Sequence, residues 1–269
     1  VEQWGYAPSW VRKAPVRIQA NEQALAGDVT PETEAEGRPA CNLILTGTGA
    51  RSRRFFNELK ALLVSDHSTV IRVELRVDTD ALISRTDDGY ILNAIESEAY
   101  KRLFDSIGDS GVSVGSIIHL ANLDEAAEGS FTGNSNTSFD IQQMLGFYSL
   151  LYIAQNINAS GCVNMCVASE GLQSVTYDEV LAEDKAPVAS ACGVLALENV
   201  ELNVASVDYS FPEGDAVPDA VIKKAAQQIL GELSHQLPDE VVAFRGVSRW
   251  VSSVEPCQLS DVGLNPVEF

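Results

Sequence analysis

Positive charge is scarce in this sequence. Its 269 residues carry 18 Lys and Arg against 38 Asp and Glu, a formal net charge of −20. A nucleic-acid surface needs clustered cations to displace counterions, so this balance argues against a polyanionic partner. Long apolar runs are missing as well, since none reaches the roughly 18 residues that a bilayer crossing requires. The N-terminal VEQWGYAPSW has no basic segment followed by an apolar one, which argues against a secretory signal. The chain therefore reads as cytoplasmic, with no membrane partner. The sequons at Asn136 and Asn158 are then chance matches.

Metal and nucleophile signatures are absent too. Five cysteines (Cys41, Cys162, Cys166, Cys192, Cys257) form no C-x-x-C pair and read as buried thiols of a reducing compartment. Cys162 and Cys166, if both lie on one face of a strand, stand about 13 Å apart, too far for a disulfide or a shared zinc. No metal site is expected. The three histidines invite no catalytic role: His119 sits inside the apolar run SIIHL as a core histidine, and His67 and His235 lie in polar helix-end contexts. Neither a G-x-S-x-G elbow, a G-x-x-x-x-G-K-[ST] loop nor an H-E-x-x-H helix occurs. Cys192, among small residues in ASACGVLAL, has no base nearby and reads as packing.

What the chain does have is 45% hydrophobic residues, enough for a substantial core in one α/β domain. Cys41 to Leu63 reads as strand, turn and helix: Leu43 to Leu45 are apolar, Gly47 and Gly49 allow a tight turn, and Phe55, Leu59, Leu62 and Leu63 recur at helical spacing. Read as G-x-G-x-x-G, the turn lacks its third glycine, because Ser52 stands there and Arg51, Arg53 and Arg54 crowd the helix start. Those arginines could meet a cofactor phosphate at the helix N-terminus or pair with the abundant carboxylates.

The rest alternates in kind. Strands are expected at residues 6–13 (an edge strand, because of Pro8), 69–77, 116–120, 163–168 and 203–209. Helices are expected at 98–107, 140–158, 188–198 and 220–234. DTDALISRTDDG reads as a polar connection, and VVAFRG-VSRWVSSV as two strands joined at Gly246. Residues 16–40 and 121–138 are small, polar and glycine-bearing, and read as mobile loops. Together these predict a Rossmann-like, mostly parallel doubly wound sheet with an added N-terminal edge strand and a C-terminal hairpin. Trp10, Trp250 and Phe244 are the candidate packing or interface residues there.

A short-chain dehydrogenase built on this sheet would carry a Tyr-x-x-x-Lys pair on the helix after the fifth strand. Here the candidates are Ser169, Tyr177 and Lys185. The tyrosine and lysine are eight residues apart, and Pro187 places the lysine before the helix rather than one turn along it. The two side chains cannot share a helix face, so the lysine cannot depress the tyrosine's pKa in the usual way. No catalytic residue is expected.

Four segments resemble a known family. WGYAPSWVRKAP at the start, GFYSLLYIAQNI from Gly146 to Ile157, ASEGLQSVTYDEVLAEDKAPVASACGVLALE from Ala168 to Glu198 and VVAFRGVSRWVSSVEP from Val241 to Pro256 are similar, in that order, to the N-terminal structural subdomain of the ketoreductase of modular type I polyketide synthases. The resemblance implies a degenerate short-chain-dehydrogenase fold over residues 1–256 without cofactor. It also implies a catalytic partner in the same polypeptide that binds NADPH and reduces a carrier-bound β-keto group. Residues 257–269 would then be a linker toward that half or an intervening enoylreductase, and a start at Val1 fits a piece of a longer polypeptide. Two other readings stay open: an active NAD(P)-dependent oxidoreductase with an atypical turn using Gly47, Gly49, Arg51, Arg53 and Arg54, and a stand-alone binding module.

Overall fold

The structure is a computed structural model that describes residues 4–16, 39–65, 68–125, 138–157, 161–211, 217–234 and 241–258. Its ten strands form one sheet in the order β1-β10-β9-β8-β7-β6-β2-β3-β5-β4. In chain order they are β1 (Trp4–Lys13), β2 (Ala40–Thr46), β3 (Thr69–Arg76), β4 (Ile83–Thr86), β5 (Gly89–Asn93), β6 (Ser113–His119), β7 (Val163–Glu170), β8 (Leu202–Tyr209), β9 (Val241–Arg245) and β10 (Ser248–Gln258). From β9 through β5 every neighbour in that order is parallel, and only β4, β10 and β1 join antiparallel.

The helices are α1 (Ala50–Ser65), α2 (Ser97–Asp109), α3 (Ser138–Gln143), α4 (Ser149–Asn156), α5 (Ala186–Glu198) and α6 (Asp219–Leu233). They cover both faces because successive strand side chains point to opposite sides. On β2, Ile44 meets Phe55 and Leu59 of α1 and Ile229 of α6 in one core. Leu43 and Leu45 meet Tyr100 and Leu103 of α2, Ile153 of α4 and Leu195 of α5 in the other. A strand buried on both faces reads as a continuous apolar run, and each such side chain contributes roughly 1.5–3 kcal/mol of burial. Among the described residues no helix is long and apolar enough to cross a membrane.

The N-terminal segment is the expected edge strand, paired with β10 along its whole length. The hairpin turns at Gly246, whose φ of 61° suits glycine. Arg249 on β10 and Glu232 on α6 form a buried bidentate pair, Nε to Oε1 and Nη2 to Oε2 both at 2.6 Å, which fastens the hairpin to the helix layer.

Three expectations need correction. The polar connection at 78–89 contains the β4–β5 hairpin, whose strand β4 is mostly exposed and so carries no apolar signature. The helix expected at 140–158 is interrupted by a π-helical turn, Met144–Tyr148. There a Cβ on Gly146 would lie 2.5 Å from Asn122 Oδ1, and Ser149 Oγ lies 2.7 and 2.8 Å from the carbonyl oxygens of Leu145 and Gly146. Residues 121–124 are not loop surface: Ala121–Leu123 form a buried 3-10 turn, because leaving the sheet at the middle of the fold puts them beneath α1. Of the two roles offered for Phe244, packing or interface, the side chain takes packing: it is 1% exposed and stacked on Tyr209 with ring centroids 5.7 Å apart. Positions 17–38, 126–137, His67, His235, Asn136 and Asn158 lie outside the described residues.

Candidate functional site

In a doubly wound sheet, ligands bind beyond the carboxyl ends of the strands where the chain reverses its winding direction. Here that point lies between β2 and β6, because β2 is followed outward by β3 and β6 by β7. The Gly47 to Ser52 turn leaves β2 there, and the 3-10 turn ending at Asp124 leaves β6 beside it.

Asp124 fills the turn. Its carboxylate accepts hydrogen bonds from the Gly49 amide (3.1 Å), the Ser52 amide (3.0 Å) and the Ser52 hydroxyl (2.6 Å). A Cβ on Gly49 would lie 2.3 Å from Asp124 Cγ, and one on Gly47 2.7 Å from Oδ2. Neither glycine has positive φ, so both are there to make room for this carboxylate, not to turn the chain. Ser52, which stands in the place of the third glycine, is fully buried and is itself a donor to the carboxylate.

The three arginines are engaged elsewhere. Arg51 pairs with Glu170 and lies over the Phe211 ring, 5.5 Å from its centroid. Arg54 bonds the Val217 carbonyl (2.5 Å) and Asp219 (2.6 Å), and Arg53 donates to the Thr48 carbonyl (3.3 Å). For Arg51 and Arg54 the pairing with carboxylates is the arrangement present.

Beneath the turn lies a buried polar chain. His119 Nε2 is 2.8 Å from Ser149 Oγ, Asn122 Nδ2 is 3.5 Å from His119 Nδ1, and Gln142 Nε2 donates to Asn122 Oδ1 at 3.0 Å. Asn122 donating to Nδ1 leaves the proton on Nε2, which faces the serine. Burial pushes the pKa of His119 down to about 4, so it is a neutral core histidine with partners.

The dehydrogenase candidates do not converge. Tyr177 is 88% exposed and has φ of 69°. Lys185 is 4% exposed at the N-cap of α5, where burial pushes its pKa down against the nearby carboxylates of Asp184, Glu125 and Asp124. Ser169 is buried and its hydroxyl has no hydrogen-bond partner. The loop that carries Tyr177 is held down by carboxylates: Asp208 accepts from the Leu172 (2.7 Å) and Gln173 (3.2 Å) amides, Glu179 from those of Val175 (3.1 Å) and Thr176 (2.9 Å), and Arg245 reaches both acids at 3.0 and 2.7 Å.

Burial pushes the thiols of Cys41 and Cys192 up to about 11 and 12 and that of Cys166 up further, which makes them poor nucleophiles. Cys162 precedes β7 and is exposed while Cys166 is buried, so the pair does not share a strand face. No group of three or more His, Cys, Asp or Glu placed to hold a metal occurs among the described residues. Trp10 and Trp250 do come together: with Pro8, Val175, Tyr177 and Pro256 they line a cleft of about 350 Å³ over the β1–β10 ribbon.

No protein-family model matches the chain, and no curated protein does. Solved structures do match. The chain superposes on the adenylation, ketoreductase and pseudo Asub multidomain structure of a keto acid-selecting NRPS module with a TM-score of 0.69 at 20% identity, over 96% of this chain and 19% of that one. An N-terminal ketoreductase from the macrolactin assembly line gives a TM-score of 0.60 at 12% identity, over 95% and 45%. A short-chain dehydrogenase from Streptomyces avermitilis gives 0.51 at 16% identity, over 77% and 88%. The fold is thus the Rossmann-like one of short-chain dehydrogenases and of ketoreductase domains. This chain spans less than half of either ketoreductase-bearing chain and most of the single dehydrogenase.

Proposed function

We propose that this chain is the non-catalytic structural subdomain of a ketoreductase in an assembly-line multienzyme. Residues 1–256 brace an adjacent catalytic subdomain, reached through 257–269 directly or across an enoylreductase. That partner binds NADPH and reduces a carrier-bound keto group in the cytoplasm. One observation carries this reading: Tyr177 stands in solvent on a loop while Lys185 is buried at the start of α5, so the fold is kept without its acid and its lysine on a common helix face.

The test is complementation. The catalytic subdomain expressed alone should reduce a β-ketothioester poorly, and adding this chain should restore the reaction equally well with Tyr177→Phe. Full activity of the catalytic half without this chain would refute the bracing role. NADPH oxidation by this chain alone, abolished by Tyr177→Phe, would establish the oxidoreductase reading instead. Against that reading, Arg51, Arg53 and Arg54 are each engaged within the chain.

A further inference from the structure

In this fold the dinucleotide's pyrophosphate lies on the glycine turn after the first parallel strand, at the N-terminus of the following helix. The residues here do not fit that group. The donors a phosphate would use, the Gly49 and Ser52 amides, are directed at Asp124, and the space above Gly47 and Gly49 is filled by the same carboxylate. A phosphate brought to the turn would meet the Asp124 carboxylate at van der Waals distance.

We propose that Asp124 is a built-in substitute for the cofactor's phosphate. It satisfies the anion preference of α1 from within the chain and thereby closes the turn to dinucleotides. The proposal rests on the reading of this chain as a subdomain without cofactor, and supplies its physical cause. The charge balance at α1 supports it. The first turn of this 16-residue helix contains no acidic residue, whereas it carries Arg51 and Arg53 on top of the positive end of the helix dipole. Glu170 pairs with Arg51 on the outside of the turn, and within it Asp124 meets the free amides from 72 residues away in sequence, 8% exposed and held by three donors. Ser52 belongs to the same device: a glycine in its place would keep the amide and lose the 2.6 Å hydroxyl bond.

The experiment follows the Gly49 and Ser52 amide signals by NMR in the full chain during titration with inorganic phosphate and with NADPH. The wild type should show no saturable shift at either amide. Asp124→Ala and Asp124→Gly, which both empty the turn and remove the charge, should bind phosphate there at least about tenfold more tightly than wild type, weakening with added salt. A wild type whose Gly49 amide shifts saturably with phosphate or NADPH overturns the proposal, as does a folded variant that remains blind to phosphate. If neither variant folds, the wild-type titration alone decides, in the same sense. Complementation of the catalytic subdomain is read in parallel: failure of the phosphate result with complementation intact removes this proposal alone, and failure of complementation removes the bracing role alone.

Discussion

Two loops leave the carboxyl ends of the adjacent strands β6 and β7, and carboxylates fasten both, in different ways. Asp124, after β6, sits among amides and a hydroxyl at a helix N-terminus. The loop after β7 is held by Asp208 and Glu179, which share the guanidinium of Arg245. A helix N-terminus carries roughly half a positive charge and can hold one carboxylate. Loop amides have no aligned dipole behind them, so two acids there need a full cation. The two acids that share the arginine are shifted in opposite directions. Burial pushes Asp208 up to about 6 despite the Leu172 and Gln173 amides and Arg245. Glu179 is held down at about 2, since Arg245 and the Thr176 and Val175 amides outweigh its burial.

Removing the cation should break this contrast most visibly. Arg245→Ala leaves two acids facing loop amides alone, and loss of one member of a buried pair costs about 3–5 kcal/mol. Arg245→Lys should recover only part of that, because a single ammonium cannot reproduce the separate Nε contact to Glu179 and Nη2 contacts to Asp208 and the Gln173 carbonyl. Urea denaturation measures both. A loss below about 1 kcal/mol for the alanine variant would show that the amides suffice, making the two loops equivalent.

The β6 side carries its pH sensitivity in His119, under the turn. Its folded pKa of about 4 lies below the usual 6.5, so between these values the unfolded chain binds a proton that the folded chain does not. Its contribution is therefore complete above about pH 6.5 and is lost as pH falls toward 4, by roughly 3 kcal/mol. Asp208 runs the other way: its folded pKa of about 6 exceeds the usual 3.8, so its contribution is present below 3.8 and lost as pH rises through 6. Over the shared range the two contributions nearly cancel, so wild-type urea midpoints should vary little between about pH 6.5 and 4, and His119→Gln, which removes the acid-labile contribution, should make them rise on acidification. An unchanged slope in the variant would place the acid-labile contribution elsewhere.

How much of this was legible follows from where each signal lies. The strand, turn and helix from Cys41 to Leu63, the edge strand interrupted by Pro8, the Gly246 hairpin and the displacement of Lys185 by Pro187 all rest on local spacing. The β4–β5 hairpin turns through Asp87-Asp88, between the paired Thr86 and Gly89, so its turn lacks the Asn-Gly or Asp-Gly dipeptide that marks tight hairpins, and exposed β4 offered no apolar alternation either. Asp124 had no local signal. Ala121 to Asp124 share the composition of the polar stretch that follows them, and the carboxylate gains its role only from a contact 72 residues away. The available hint was topological: it stands just past the strand that flanks the winding reversal. Gly47 and Gly49 were legible as required glycines, though for turning the chain, when the requirement is room for Asp124 Oδ2 and Cγ. Phe244 was legible as a large apolar contact, though not as one buried inside the sheet, because β9's position between β8 and β10 does not show in the sequence.

The smallest effect concerns the tip of the β7 loop. Among the described residues Tyr177 is the non-glycine with positive φ, 69°, a conformation that costs an L-residue roughly 1–2 kcal/mol. The guanidinium and carboxylate contacts of Arg245, Asp208 and Glu179 hold the loop in that state, while the ring is 88% exposed and has little packing to lose. Tyr177→Gly removes the strain and adds unfolded-chain entropy worth about 0.5–1 kcal/mol, so the net change should be a gain of at most about 1.5 kcal/mol. It should appear in the wild-type background and vanish in Arg245→Ala, where the loop is no longer held and the strain has already relaxed. A loss of more than about 1 kcal/mol in both backgrounds would instead mean that the ring packs against Trp10 and Trp250 across the cleft, and that this loop is fastened by apolar contact as much as by its arginine.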